Sequence, residues 1–136
     1  MEEQFVTKDI AIKLKKLGFN EGCLGYWSTT RGLSCVTTFM PTNDHLEEHS
    51  KLNGLCTAPL WQQAIDFLEE SNGIHVLIEP TSLGDLAPFI KGNYGEIIYD
   101  PFDHGNKGIV WPDNKLKALE FGINKALEII ENGKDV

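Results

Sequence analysis

Long apolar runs are missing from this 136-residue chain, and none approaches the roughly 18–20 residues that a membrane-spanning helix needs. Positive charge is scarce as well: 12 Lys and Arg stand against 20 Asp and Glu, for a net charge of −8. Nonspecific nucleic-acid binding depends on Lys and Arg neutralising phosphates, so this balance opposes it. The basic residues form no stripe beyond Lys13, Lys15 and Lys16. Cysteine is sparse and widely spaced, at Cys23, Cys35 and Cys56, with no CxxC pair to suggest a zinc knuckle or a thioredoxin-like site. Free thiols buried as small hydrophobes are the expectation. The start, Met1-Glu2-Glu3-Gln4, is acidic where a secretory signal would be basic and then apolar, which points to the cytoplasm. No GxGxxG, GxxxxGK[ST] or GxSxG string occurs, so no cofactor is expected.

What is present suits a folded globule. Apolar residues make up 41% of the chain and aromatics 10%, and a chain of this size buries roughly two-thirds of its unfolded surface. A single domain over residues 1–136 is expected. Helix punctuation is the clearest signal. Thr7 is placed to cap a first helix whose face is Ile10, Leu14 and Leu17, and Gly18 is placed to stop it, with Phe5 or Val6 and Phe19 clipping its ends. A second helix reads as capped by Thr57, with Pro59 in its first turn and Asn72-Gly73 at its end. A third follows Asp113 or Asn114, with Leu116, Leu119, Ile123, Ala126, Leu127 and Ile130 on its core face.

Strand signals lie between these helices. Leu24–Trp27 and Leu33–Phe39 predict a hairpin across Ser28–Gly32, and Ile74–Glu79 predicts a strand ended by Pro80. Ile97–Tyr99 and Ile109–Trp111 predict a second hairpin through Asp103-His104-Gly105-Asn106. Residues 40–56 read as a long connection with room for a turn of helix around Leu46, and 81–94 as irregular. The fold class expected is α+β: a mostly antiparallel sheet of about five strands with three helices, two of them packed on one face.

Two clusters could carry chemistry. His45-Leu46-Glu47-Glu48-His49 matches the inverted zinc-protease string HxxEH. On a helix, His45 and His49 would share a face and Glu48 could act as base, giving a small metal-dependent hydrolase as the alternative reading. A solvated acidic loop explains the same string, and no defined third ligand follows. Asp100-Pro101-Phe102-Asp103-His104-Gly105 gathers two carboxylates and an imidazole, but it is also what a turn requires. His75 alternates onto the less apolar face of its strand, as a surface or partly buried residue. Among the aromatics, Trp27, Tyr94, Tyr99 and Trp111 on or beside strands are candidates for a binding platform. Phe121 falls opposite its helix's core face and is expected to be exposed, as a partner or homodimer contact.

Leu14-Lys15-Lys16-Leu17-Gly18-Phe19, Cys23, Tyr26, Thr57-Ala58-Pro59, Gln63-Ala64, Phe67, the strand at Ile74, Ala118 and Ala126-Leu127 carry a resemblance. In this order they resemble a family of uncharacterised small proteins of Bacteroides-type bacteria and their phages. Family members often carry Trp where Phe67 stands, and residues 40–56 and 80–95 depart from the pattern. The resemblance brings no activity with it. It implies a phage or prophage accessory role, such as an anti-defence factor in the host-cell cytoplasm that binds a host protein or sequesters a small signalling ligand. The leading expectation is therefore a non-enzymatic binding protein. A structural or oligomerising module is the remaining alternative.

Overall fold

The computed structural model describes residues 2–28, 32–35, 40–49, 56–81, 85–102, 111–112 and 114–133. It divides into two compact units, residues 1–64 and 65–136.

In the first unit a 3-10 turn (Glu2–Gln4) leads to helix α1 (Lys8–Lys16). Thr7 caps α1 as expected, its hydroxyl accepting from the Ile10 amide at 3.4 Å. Gly18 ends it at φ 95°, with the Phe19 amide donating to Leu14 O and the Gly18 amide to Lys15 O. Those two bonds are the Schellman pairing that satisfies the last carbonyls of a helix. Ile10, Leu14 and Phe19 are fully buried.

Strand β1 (Gly25–Ser28) lies between β2 (Gly32–Cys35) and β3 (Cys56–Ala58) in an antiparallel sheet of order β2-β1-β3. The β1–β2 hairpin matches the expectation, with Tyr26 opposite Ser34; residues 36–39 lie outside the described set. Strand β3 is a correction. Thr57 does not cap a helix; it sits inside a strand, opposite Tyr26 and almost fully buried. Helix α3 (Trp61–Asn72) starts later, with Leu60 in the cap position. The Gln63 side chain reaches back to accept from the Leu60 amide at 3.0 Å, which is half of a capping box.

Residues 43–49 form helix α2 (Asn43–His49), so the turn of helix for which the 40–56 connection has room around Leu46 is seven residues long. The Thr42 hydroxyl caps it, accepting from the His45 amide at 3.1 Å. Asn43 is buried, and its amide donates to Phe19 O at 2.7 Å while accepting from the Thr57 amide at 2.9 Å. Both α1 and α2 pack against β3. The arm before α1 is tied down by two indoles, Trp27 donating to Val6 O at 3.1 Å and Trp61 to Glu3 O at 2.7 Å.

The second unit holds the rest of α3, a four-stranded antiparallel sheet and helix α4 (Lys115–Gly133). The strands are β4 (His75–Pro80), β5 (Asp85–Lys91), β6 (Ile97–Tyr99) and β7 (Trp111–Pro112). Strand β5 is central, in a stretch expected to be irregular. It pairs with β4 along its whole length, with β6 at Ile90 and Lys91, and with β7 at Asp85 and Leu86. The expected hairpin between β6 and β7 is therefore replaced: among the described residues each pairs with β5 instead. Among the described residues neither β6 nor β7 pairs with Pro88, a position that suits a residue without an N–H.

Cross-strand pairing fixes the faces of this sheet. Val76, Ile78, Pro88 and Ile90 share one face, and α4 crosses it. The approach is close at Gly122, where a Cβ would stand 2.8 Å from Val76 Cγ1 and 3.4 Å from Pro88 Cβ. Asn114 caps α4, accepting from the Lys117 amide at 3.1 Å. Leu119, Ile123, Ala126, Leu127 and Ile130 are buried as expected, but Leu116 is exposed and the buried positions include Ala118 and Gly122. The α+β class and antiparallel pairing stand. The single sheet of about five strands and three helices becomes, among the described residues, seven strands in two sheets and four α-helices.

Candidate binding surface on the second sheet

A five-residue turn joins β5 to β6. The Gly92 amide donates to Glu96 O at 2.9 Å and the Gly95 amide to Gly92 O at 3.1 Å, with Gly95 at φ 80°. The Glu96 carboxylate folds under the turn, accepting from the Tyr94 amide at 3.0 Å and filling the space where a Gly92 side chain would sit. Tyr94 projects from the tip, 97% exposed. Beyond the turn the β5–β6 register shifts, pairing Lys91 with Ile97 and Ile90 with Tyr99. Such a bulge inserts one extra residue and re-aims its neighbours. Ile97, at 59%, and Ile98 are both exposed, and Tyr99 is buried.

Tyr99 packs on α4, its ring centre 5.9 Å from that of Phe121, and the Lys125 ammonium lies 5.4 Å from it. Burial pushes the Tyr99 phenol up, and the Asp100 charge adds to the shift. Asp100 then turns the chain, its carboxylate accepting from the Phe102 amide at 2.8 Å. Phe102 is 55% exposed and leans on Phe89 at 6.2 Å between ring centres. Phe89 belongs to the face turned away from α4, with His75, Leu77, Glu79, Ala87 and Lys91. Lys91 and Glu79 approach to 4.0 Å across it. Among the described residues, five of the eight exposed large apolar side chains (Leu77, Tyr94, Ile97, Ile98 and Phe102) belong to this sheet and its turns. Clustered exposed apolar side chains mark interaction surfaces more than scattered ones do.

Of the residues expected to bind, Tyr99 and Phe121 are brought together, with ring centres 5.9 Å apart. Tyr94 joins this surface, whereas Tyr99 lies beneath α4. Phe121 is a correction: it is half-buried against Tyr99, not displayed on the outer face of its helix. Trp27 is in the first unit, half-buried with its indole N–H committed to Val6 O. The Trp111 backbone pairs with Leu86, and its side chain lies outside the described set. Sequence patterning does not mark Ile97, Ile98 or Phe102 as contacts; the one signal is a pair of adjacent isoleucines in a three-residue strand, of which simple alternation buries only one.

The His45–His49 string occupies α2. Asp44 is engaged with Asn20, its carboxylate accepting from the Asn20 amide at 2.9 Å, and Glu47 pairs with Lys15 at 3.2 Å. Leu46 is buried and Glu48 exposed, while the His49 side chain lies outside the described set. Among the described residues, no group of three or more His, Cys, Asp or Glu is placed to hold a metal ion. Of the Asp100–Gly105 cluster, Asp103, His104 and Gly105 also lie outside the described set.

The thiols divide by burial. Cys23 and Cys56 are buried and Cys35 is exposed. Burial pushes the Cys23 thiol up to about 11, partly offset by the Thr57 hydroxyl and reinforced by Glu21. Burial also raises Cys56, against the opposing pull of Lys15 and Lys8. Among the described residues, no helix is long and apolar enough to cross a membrane. No family model, curated protein or solved structure matches the chain.

Proposed function

We propose that the chain is a non-enzymatic protein-binding module whose contact surface is the 94–102 segment and the adjoining face of the second sheet. One observation carries this reading: Tyr94, Ile97, Ile98 and Phe102 are all exposed within nine residues. Leaving such side chains in water forgoes burial worth roughly 1.5–3 kcal/mol for each large one. A protein partner recovers that energy, and aromatic anchors with aliphatic neighbours are the composition found at the centre of interfaces. The sequence resemblance supports a host protein as partner and a phage accessory role.

The test is capture from a lysate of a Bacteroides-type host, with the wild-type chain and an Ile97→Asp/Phe102→Ser variant immobilised in parallel. A protein held by the wild type and lost by the variant supports the surface. Equal retention by both, or a variant that alone changes oligomeric state, replaces the reading with a different contact or with self-association.

A further inference from the structure

The second unit carries the same reactive dipeptide at the ends of two helices: Asn72-Gly73 closes α3 and Asn132-Gly133 closes α4. A further Asn-Gly pair, Asn53-Gly54, lies outside the described residues. Asparagine is a thermolabile residue, and a following glycine makes it more so, having no Cβ to hinder its own backbone nitrogen. That nitrogen bonds to the asparagine Cγ, and the side-chain amide leaves as ammonia with the proton the glycine nitrogen gives up. Water then opens the five-membered succinimide at either carbonyl. One opening yields Asp; the other yields isoaspartate, in which the main chain runs through the side-chain carbon. The reaction needs a glycine nitrogen released from its hydrogen bond and an asparagine turned out of the helical conformation, so the fold around each pair sets its rate.

We propose that Asn132-Gly133 is a site of spontaneous deamidation in the folded chain, and that Asn72-Gly73 reacts only when the junction between α3 and β4 opens. The Gly73 amide donates to Glu69 O at 3.1 Å, and the Ile74 amide reaches back to Leu68 O at 3.3 Å, a Schellman-type closure. Gly73 holds φ 66°, and the Asn93 amide nitrogen stands 2.5 Å from where its Cβ would be. Ile74 is buried, and His75 at once pairs with Lys91 as the first rung of the β4–β5 ladder. Freeing the Gly73 nitrogen therefore disturbs the helix closure, the seat of Ile74 and the start of a sheet together.

The end of α4 is built differently. Ile130 is its last buried residue, and Glu131, Asn132 and Gly133 are all exposed. Among the described residues, no atom lies within 4 Å of the place a Gly133 side chain would take. The last turn of a helix frays, and here fraying frees the Gly133 nitrogen without moving Ile130. The products differ in consequence as well. Isoaspartate at position 132 lies beyond the buried part of α4. At position 72 it would lengthen the main chain between Leu68 and the first rung of β4, so damage there records an opening and then hinders reclosing.

Peptide mapping by mass spectrometry, with electron-transfer fragmentation to separate Asp from isoaspartate, follows both sites during incubation in mildly alkaline buffer. In the native chain Asn132 should convert first and Asn72 at least about tenfold more slowly, because opening free energies climb from near zero at fraying ends to the global value in packed elements. In urea the two rates should come together. Ile74→Ala keeps the Asn-Gly pair but empties the buried site beside it, and should raise the Asn72 rate severalfold while leaving Asn132 unchanged. Equal native rates at the two sites, or an Asn132 that converts in urea but not in the native chain, overturns the proposal. A rate at Asn72 that neither urea nor Ile74→Ala moves overturns its gating by the junction.

Discussion

The two units solve the same problem in opposite ways. The first closes on itself: its N-terminal arm is held by two indole N–H groups, and a buried asparagine joins the end of α1 to β3. Its two tryptophans spend their indole N–H groups on backbone carbonyls. The second unit buries one face of its sheet under α4 and leaves apolar side chains outside on its edge and turns. Side chains that complete a core cannot also serve a partner, so the contrast separates residues kept for stability from residues free to bind.

The largest effect expected from breaking this contrast is in the first unit. Leu14→Ala empties a fully buried site and should cost about 2–5 kcal/mol in urea unfolding followed by circular dichroism. A loss below about 1 kcal/mol would show a core able to collapse around the gap. Next comes the buried thiol. The folded chain holds the Cys23 proton up to about 11, against an ordinary value of 9.0. The unfolded chain therefore releases that proton first as pH rises. Stability is full below pH 9 and falls from 9 towards 11, by up to about 1.4 kcal/mol per pH unit. Cys23→Ala should flatten that fall once its own lower stability is subtracted, and an unchanged slope would place its origin in another group. The smallest effect belongs to the second unit, where Ile98→Ser should change stability by no more than about 0.5 kcal/mol. A loss several times larger would mean that Ile98 is part of the core.

Much of the helical framework is legible in the sequence. Thr7, Gly18 and Asn114 act as the cap and stop residues their types imply, because capping is decided within four or five residues of chain. Thr57 misled because the same hydroxyl residue suits a cap or a buried strand, and pairing with the distant Tyr26 decides between them. Strand β5 was hidden by Pro88 and Gly92, which read locally as breaks. Among the described residues neither β6 nor β7 pairs with Pro88, where a proline is tolerable. Phe121 shows the same limit from the other side. Its helical angle points away from Leu119 and Ile123, but Tyr99 on the outer strand reaches round to meet it. The surface itself was least legible, since the register shift that exposes Ile97 and Ile98 depends on how β6 meets β5.

The same register shift bears on how such a protein avoids assembling without limit. An apolar strand at a sheet edge is a template for stacking copy upon copy, and flat, long edges are the most dangerous. Strand β6 is three residues long, bulged against β5 and bordered by Glu96 and Asp100. A copy approaching this edge meets a short, twisted ladder that ends at a carboxylate on either side. The two isoleucines can thus stay exposed while the short, bulged backbone beside them offers little for a growing fibre to extend.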